Sequence, residues 1–416
     1  MSTGLGNDVV TGLRQLPLIR ERCKKIYALA LQGNLRHLTL HEDQLERVVD
    51  FVHGLITKDY PDLKIPPHSR WRHFEAGGVA RHRDLQNSWT EADTLEIVRR
   101  HIDLVVVSVL LDAGAGPSWK YRDDATGQTL GRSEGLGVAS LDMFAEGLFS
   151  AIPSVPHRVD ASALEALKLS DVEKGFQVSA SNPMVGLEGR VELLKNLGRA
   201  MRSRPEIFAH QAAFRPGNLI DFVLSDNPSS AVLPLSRLWH AVIEGLQQVW
   251  PTAGRIHWNG VSLGDVWHHS ALGNSTDPNA WIPFHKLSQW LTYSLLEPLE
   301  QGGFTIIGLE ELTGLPEYRN GGLFLDFGVL RPRDPSALAT SLDVSSEWIV
   351  EWRALTVLLL DSVAERLRNR MALTASQLPL AKVLEAGTWK AGRRIAAQKR
   401  DGGGPPVQVI SDGTVF

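Results

Sequence analysis

The chain has 416 residues, of which 43% are hydrophobic and 22% charged, with a formal net charge of -4. That balance fits a globular chain with one large domain or two intimate ones, and it excludes a protein built around bulk nucleic acid or an anionic membrane. A single cysteine, Cys23, excludes an internal disulfide framework and a cysteine-based zinc cluster, and it fits a reducing, cytoplasmic setting.

The N-terminal stretch lacks a basic segment followed by an apolar one, so no signal peptide is expected. Apolar residues at helical spacing predict a first helix over 7–32 (Val10, Leu13, Leu16, Ile19, Cys23, Ile26, Leu29) and a second over 43–57. Thr90 reads as the N-cap of a third, which ends at Gly114. Further helices are expected over 136–149, 161–173, 187–202, 235–249, 285–300, 345–371 and 375–396. Between them lie long stretches rich in Pro, Gly, Trp and His, at 58–88, 114–135, 176–186, 251–282 and 301–335. Loops of such length in a compact domain carry function or pack on the core. Strand signals are short: "FTIIG" from Phe304, "LFLDFGVL" from Leu323 and "VQVI" from Val407. The expected architecture is mainly α: one large helical domain over 1–400 with decorated loops and a few short strands. A tail over 401–416 docks on it or frays.

Several stretches carry chemistry. "LTGLPEYRNGGLFLDFGVL" offers two acids, Glu317 and Asp326, with Tyr318, Arg319 and Asn320 beside the first. A carboxylate next to Arg and Tyr can stay ionised and can stabilise an oxocarbenium-like transition state or activate water. A plain capped turn is the competing expectation. "WIPFHKLSQWLTYSLLEPLE" places His285, Gln289 and Thr292 on one line of a helix and Lys286, Tyr293 and Glu297 on another, a pattern that suits a pocket wall. In "HWNGVSLGDVWHHSALG" the adjacent His268 and His269 do not share a helical face. Hydrogen-bonding loop histidines are therefore expected rather than a metal, with Asp265 free to meet a polar ligand. Arg132, in a glycine-rich loop, and Arg190 and Arg215 are candidate phosphate contacts. No dinucleotide or nucleotide-binding glycine loop and no serine or cysteine nucleophile motif is present.

Taken together, "SWKYRD", "RSEGLG", "NPMVGLEGRVELL", "RPGNLIDF", "WIPFHKLSQWLTYSLLEPL", "LTGLPEYRNGGLFLDFGVL" and the terminal "SDGTVF" resemble the uracil catabolism protein four family over the whole chain. The resemblance implies a place in a pathway in which uracil becomes a ribonucleotide, the ring opens, ribosylurea forms and urea is released. A fainter likeness joins "HKLSQWLTYSL" and "LTGLPEYRNGG" to the paired motifs of queuosine-salvage nucleoside glycosylases. It implies a DNA-glycosylase-like helical core. Lys286 and Gln289 match the helix motif, and Glu317, Tyr318 and Arg319 match the turn. The helix acid of that pattern is Ser294 here, and Glu stands for Asp at 317.

The resulting expectation is a hydrolase of an N-ribosyl bond acting on ribosylurea or its 5′-phosphate. Glu317 or Asp326 would be catalytic, while His285, Lys286, Gln289, Tyr318, Arg319, Asn320, Asp265, Arg132, Arg190 and Arg215 would bind substrate. No metal or other cofactor is required by it. The expected partner is a small ribosyl or ribonucleotide-derived molecule, with neither nucleic acid nor membrane, and a homodimer is left open. The alternatives are a non-catalytic binding or scaffold protein of the same pathway and an amidohydrolase of the opened ring.

Overall fold

Helix boundaries follow from a few cap and breaker residues. In the computed structural model, which describes residues 9–112, 114–116 and 118–410, Pro17 lies in the first turn of a helix. The expected helix over 7–32 therefore breaks into a short piece over 9–13 and α1 (Leu16–Leu31). The other long helices are α2 (Leu45–Asp59), α3 (Thr94–Leu110), α4 (Arg132–Ala145), α5 (Leu187–Ser203), α6 (Leu235–Gly245), α7 (Lys286–Gln301), α8 (Tyr318–Asp326), α9 (Glu347–Met371) and α10 (Trp389–Lys399). The protein is mainly α, and its strands form only two-stranded sheets among the described residues. No helix among those residues is long and apolar enough to cross a membrane.

Further expected elements differ. Asp93, not Thr90, caps α3: its carboxylate accepts from the Glu96 amide at 2.7 Å. Asp93 directly precedes the first helical residue, so its short carboxylate reaches the orphan amides of the first turn, which Thr90 does not. The helix expected over 161–173 is two short pieces, Ala161–Glu165 and Leu169–Gly175. Half of "LFLDFGVL" is helix, not strand: α8 runs to Asp326, and only Leu330–Pro332 is extended. Gly328, at φ 72°, ends α8. The Gly328 amide donates to Leu325 O at 3.0 Å and the Val329 amide to Phe324 O at 2.9 Å, the paired bonds of a left-handed C-terminal cap.

The chain divides into two compact units. The first comprises residues 1–68, 252–289 and 309–416. In it α9 packs on α1 and α2, and α8 packs on α9 and α10. Strand Leu38–Leu40 pairs antiparallel with Leu330–Pro332, and Val266–His268 pairs with Trp281–Pro283. Ser341–Asp343 pairs in parallel with Gln408–Ile410, and Val407 is fully buried, so the tail docks as far as residue 410. The terminal "SDGTVF" lies outside the described residues. The second unit comprises residues 69–251 and 290–308. There α3 packs on α4, α5 packs on Ala161–Glu165, and Val232–Pro234 pairs in parallel with Thr305–Ile307.

The contacts of α8 with α9 and α10 have strict steric requirements. A Cβ at Gly392 would stand 2.1 Å from Arg319 O, and one at Gly321 would stand 2.6 Å from Trp352 Cε2. Glycine inside a helix is unfavourable by about 1 kcal/mol relative to alanine, so its presence in α10 reflects this approach. Gly392→Ala is therefore expected to destabilise by about 3 kcal/mol in denaturant unfolding, as overpacked helix contacts do. Gly189→Ala, on the exposed face of α5 with nothing within 4 Å, should instead be neutral or stabilise by up to about 1 kcal/mol.

Candidate active site

The first unit ties the turn 312–320 to the start of α7. Glu317 has extended backbone (φ -119°, ψ 172°) and caps α8. Its Oε1 accepts from the Asn320 amide at 2.6 Å and its Oε2 from the Arg319 amide at 2.8 Å. The side chain is buried. Burial raises its pKa above the usual carboxylate value. The Arg319 amide, the Lys286 charge, the Asn320 amide and the Arg319 charge offset part of that rise. A carboxylate has about four acceptor positions, so two amide bonds leave room for a hydroxyl or a water.

A buried ion pair supports this turn. Arg353 Nη1 and Nη2 meet Asp265 Oδ1 and Oδ2 at 2.7 and 2.8 Å. Trp267 Nε1 donates to the same carboxylate at 2.7 Å, and the Lys286 amide does so at 2.9 Å. Burial would push Asp265 up, but the Arg353 charge and bonds outweigh it and hold the carboxyl well below the usual range. The guanidinium also lies 4.1 Å from the Phe284 ring centroid and donates from Nε to Pro316 O at 3.3 Å. Arg353 thus connects the 265–267 loop, the start of α7 and the residue before Glu317.

Gln289 braces the same elements. Its Nε2 donates to Phe284 O and to Thr313 Oγ1, both at 2.9 Å, and its Oε1 accepts from the Thr313 amide at 2.8 Å. With both ends of its carboxamide engaged, Gln289 holds the turn. His285 is buried with φ 45°, a left-handed conformation that strains a non-glycine residue. Its Nε2 contacts Leu13 O at 2.9 Å, and burial lowers its pKa. Lys286 is half-buried and close enough to Glu317 for its charge to act there. Arg319 lies 5.0 Å from the Tyr318 ring centroid and donates to Gly403 O at 2.8 Å. Asn320 Nδ2 donates to Leu315 O at 3.1 Å.

The structure thus gathers Asp265, His285, Lys286, Gln289, Glu317, Tyr318, Arg319 and Asn320 in one unit. Asp326 does not join Glu317. It ends α8 and forms a two-point ion pair with Arg400, 2.7 and 2.5 Å long. Along the helix, a rise of about 1.5 Å per residue sets its backbone roughly 13 Å from that of Glu317, and its carboxylate is taken up by Arg400.

Arg132, Arg190 and Arg215 belong to the second unit. Arg132 is exposed at the start of α4, at φ 56°. Arg190 is buried on α5, donating to Leu111 O and Val185 O, and burial lowers its pKa to about 10. Arg215 is held by Asp103 at 2.7 Å and Glu96 at 3.0 Å, so its charge is neutralised within the protein. Ser294, at the position of the absent helix acid, accepts from the Arg70 amide at 3.0 Å and anchors the 69–74 segment. Glu297 on α7 accepts from Ser69 and Arg72, yet burial pushes it up to about 7.

Arg353, Thr313 and Glu351 escape sequence reasoning. The signal available for Arg353 and Glu351 is their charge inside the otherwise apolar run from Trp348 to Leu360. Among the described residues, the side chains spaced to hold a metal ion are His37, Glu347 and Glu351. His268 Nε2 contacts Gly273 O at 2.9 Å, a loop hydrogen bond.

The sequence model of a family described as "Protein of unknown function (DUF1688)" matches residues 12–416. The chain is 41% identical to Uracil catabolism protein 4 of Lachancea kluyveri over 443 residues, covering 99% of each chain. It is also 41% identical to Protein urg3 of Schizosaccharomyces pombe over 419 residues, covering 99% of this chain and 100% of that one.

Asp265 and Glu297 give opposite pH dependences. The depressed pKa of Asp265 contributes stability that is present above the unfolded carboxyl value of about 4 and is lost as pH falls through the lower folded value. Asp265→Asn should therefore flatten the acid limb of stability against pH. Arg353→Met should destabilise by about 3–5 kcal/mol at neutral pH, because it leaves a buried carboxylate unpaired. The raised pKa of Glu297 stabilises below about 4.5, and that contribution is lost as pH rises through about 7. The stability of wild type relative to Glu297→Gln should accordingly fall between those pH values in thermal melts.

Proposed function

Because the chain belongs to the DUF1688 family of proteins of unknown function, we propose that it acts in uracil catabolism, the process named for one of its relatives, by hydrolysing an N-ribosyl bond. The substrate in this reading is ribosylurea or its 5′-phosphate, and the products are urea and the free sugar or sugar phosphate. The observation that carries it is Glu317: a buried carboxyl of raised pKa whose cationic neighbours include Lys286. A base of raised pKa is better matched to neutral pH than an ordinary carboxylate.

In this mechanism Glu317 accepts a proton from water as the water oxygen bonds to C1′ and the C1′–N bond breaks. Its negative charge stabilises the oxocarbenium character that develops at the sugar. Urea is a poor leaving group, so a proton must reach it as it departs, and the Lys286 ammonium supplies it. Glu317 and Lys286 then exchange protons to restore the starting state. Asp265, Arg353 and Gln289 hold the two motifs in register. His285 fixes the chain direction into α7 by its left-handed backbone. Tyr318 and Asn320 flank the carboxyl on the turn.

The deciding assay measures urea and reducing sugar released from ribosylurea and from its 5′-phosphate. Glu317→Gln should lower turnover by about 10²–10⁴-fold, the usual range for loss of a general base. Lys286→Met should lower it by about 10²-fold or more. Asp326→Asn should leave turnover within a few-fold of wild type while weakening the tail contact through Arg400. Full activity in Glu317→Gln would refute the site. Urea without free sugar, or no product from wild type, would refute the reaction.

A further inference from the structure

The first unit contains a second polar cluster, built on the N-terminal turns of α9 from residues other than those around Glu317. Glu347 and Glu351 are four residues apart, so both carboxylates project from one face of α9. His37, just before strand Leu38–Leu40, brings Nε2 to 3.4 Å from Glu347 Oε1. His37, Glu347 and Glu351 each offer one atom within 4.8 Å of the others. His269, which follows strand Val266–His268, brings Nε2 to 3.5 Å from Glu351 Oε1.

These separations are long for charge-assisted hydrogen bonds, which run about 2.7–2.9 Å. The 3.4 Å between His37 Nε2 and Glu347 Oε1 matches an edge of a tetrahedron around a metal with bonds of about 2.0–2.1 Å, roughly 3.4 Å. Two buried polar atoms in the cluster also lack a hydrogen-bond partner among the described residues: Glu347 Oε1 and His269 Nε2. The His269 side chain is 1% exposed, and an unsatisfied donor at such a depth is unfavourable. Its Nδ1 accepts from the Ala271 amide at 3.2 Å, which puts the proton on Nε2 and aims an N–H into the cluster. That N–H meets no acceptor at hydrogen-bond distance among the described residues.

The surrounding bonds prepare the carboxylates. Glu347 Oε2 accepts from the Ser270 amide at 3.0 Å, which leaves Oε1 facing His37. Glu351 is fully buried and accepts from the amides of Arg36, His37 and Leu38. Those amides orient its carboxylate without neutralising its charge.

We propose that His37 Nε2, Glu347 Oε1 and a Glu351 oxygen bind one divalent transition-metal ion, with a metal-bound water accepting the His269 Nε2–H. One imidazole and two carboxylates favour zinc or manganese over magnesium, which prefers oxygen ligands alone. The ion offsets the charge of two carboxylates and joins the strand at residue 38, the 269–271 loop and the start of α9. Because that loop follows the Asp265–Trp267 segment in sequence, the metal also restrains the chain next to the ion pair.

Zinc and magnesium titrations of the chelator-treated full chain test this, read by metal content after dialysis and by thermal unfolding. Wild type should retain about one zinc per chain and melt higher with zinc, whereas magnesium at the same concentration should do nothing. His37→Gln and Glu347→Gln, whose side chains are partly exposed and hold no strand amides, should fold and lose both the zinc and the thermal shift. His269→Phe should keep the zinc with lower affinity. Wild type without stoichiometric zinc would overturn the site, as would a double variant at His37 and Glu347 that binds zinc as wild type does. Zinc loss in His269→Phe as complete as in His37→Gln would overturn the water position and make His269 a direct ligand.

Discussion

The Asp265–Arg353 ion pair sets the geometry of the first unit. Taking two charges out of water is unfavourable by several kcal/mol per ion unless geometry and further hydrogen bonds compensate. Here they do: a two-point contact, an indole N–H and a helix amide all meet one carboxylate. Such a pair adds little net stability over a packed apolar contact, but its directional bonds admit few arrangements. It fixes the start of α7 through the Lys286 amide and the turn before Glu317 through Pro316 O. Gln289 and Thr313 repeat the tie with neutral groups. The position of Glu317 therefore follows from bonds made by other residues.

Glu317 has two roles that pull against each other. As the N-cap of α8 it accepts two amides, which favours its ionised form. As a buried side chain it loses water, which favours the neutral form, and burial is the larger effect. The outcome is a carboxyl with its direction fixed by the cap and its basicity raised by the surroundings. Close packing of α8 keeps it there. Gly321 against Trp352 and Gly392 against Arg319 O leave the helix little room to slide over α9 and α10.

The parts of this arrangement that are legible in the sequence are the local ones. The apolar stripe of α2 (Leu45, Val48, Val49, Val52, Leu55) is buried in the structure, and the motifs around Lys286 and Glu317 stand out by their residue types. The long-range parts are not legible. "LFLDFGVL" alternates as a strand does, and only the cap at Glu317 and the left-handed Gly328 make its first half helical. Arg215 looks like a free cation until the fold brings Asp103 to it across 112 residues of chain. Asp326 looks like a spare acid until Arg400 reaches it across 74. A charge read in isolation has no partner, and partner choice is a tertiary fact.

Partner choice also separates the buried carboxyls from one another. Asp265 faces a guanidinium in two-point contact and is held strongly acidic. Glu297 has Arg72 and Ser69 but is pushed up to about 7, because its desolvation exceeds what they return. Glu317 is capped by amides, with Lys286 and Arg319 acting on it only as nearby charges, and its pKa is raised. A carboxyl locked to an arginine is a poor base, since taking up a proton would break the pair. A carboxyl held by neutral amides keeps its orientation, and its protonation breaks no ion pair, so burial can still raise its basicity. Among the acids of the first unit that the sequence singles out, Glu317 alone combines a fixed direction with spare basicity, whereas Asp265 and Asp326 are each committed to an arginine.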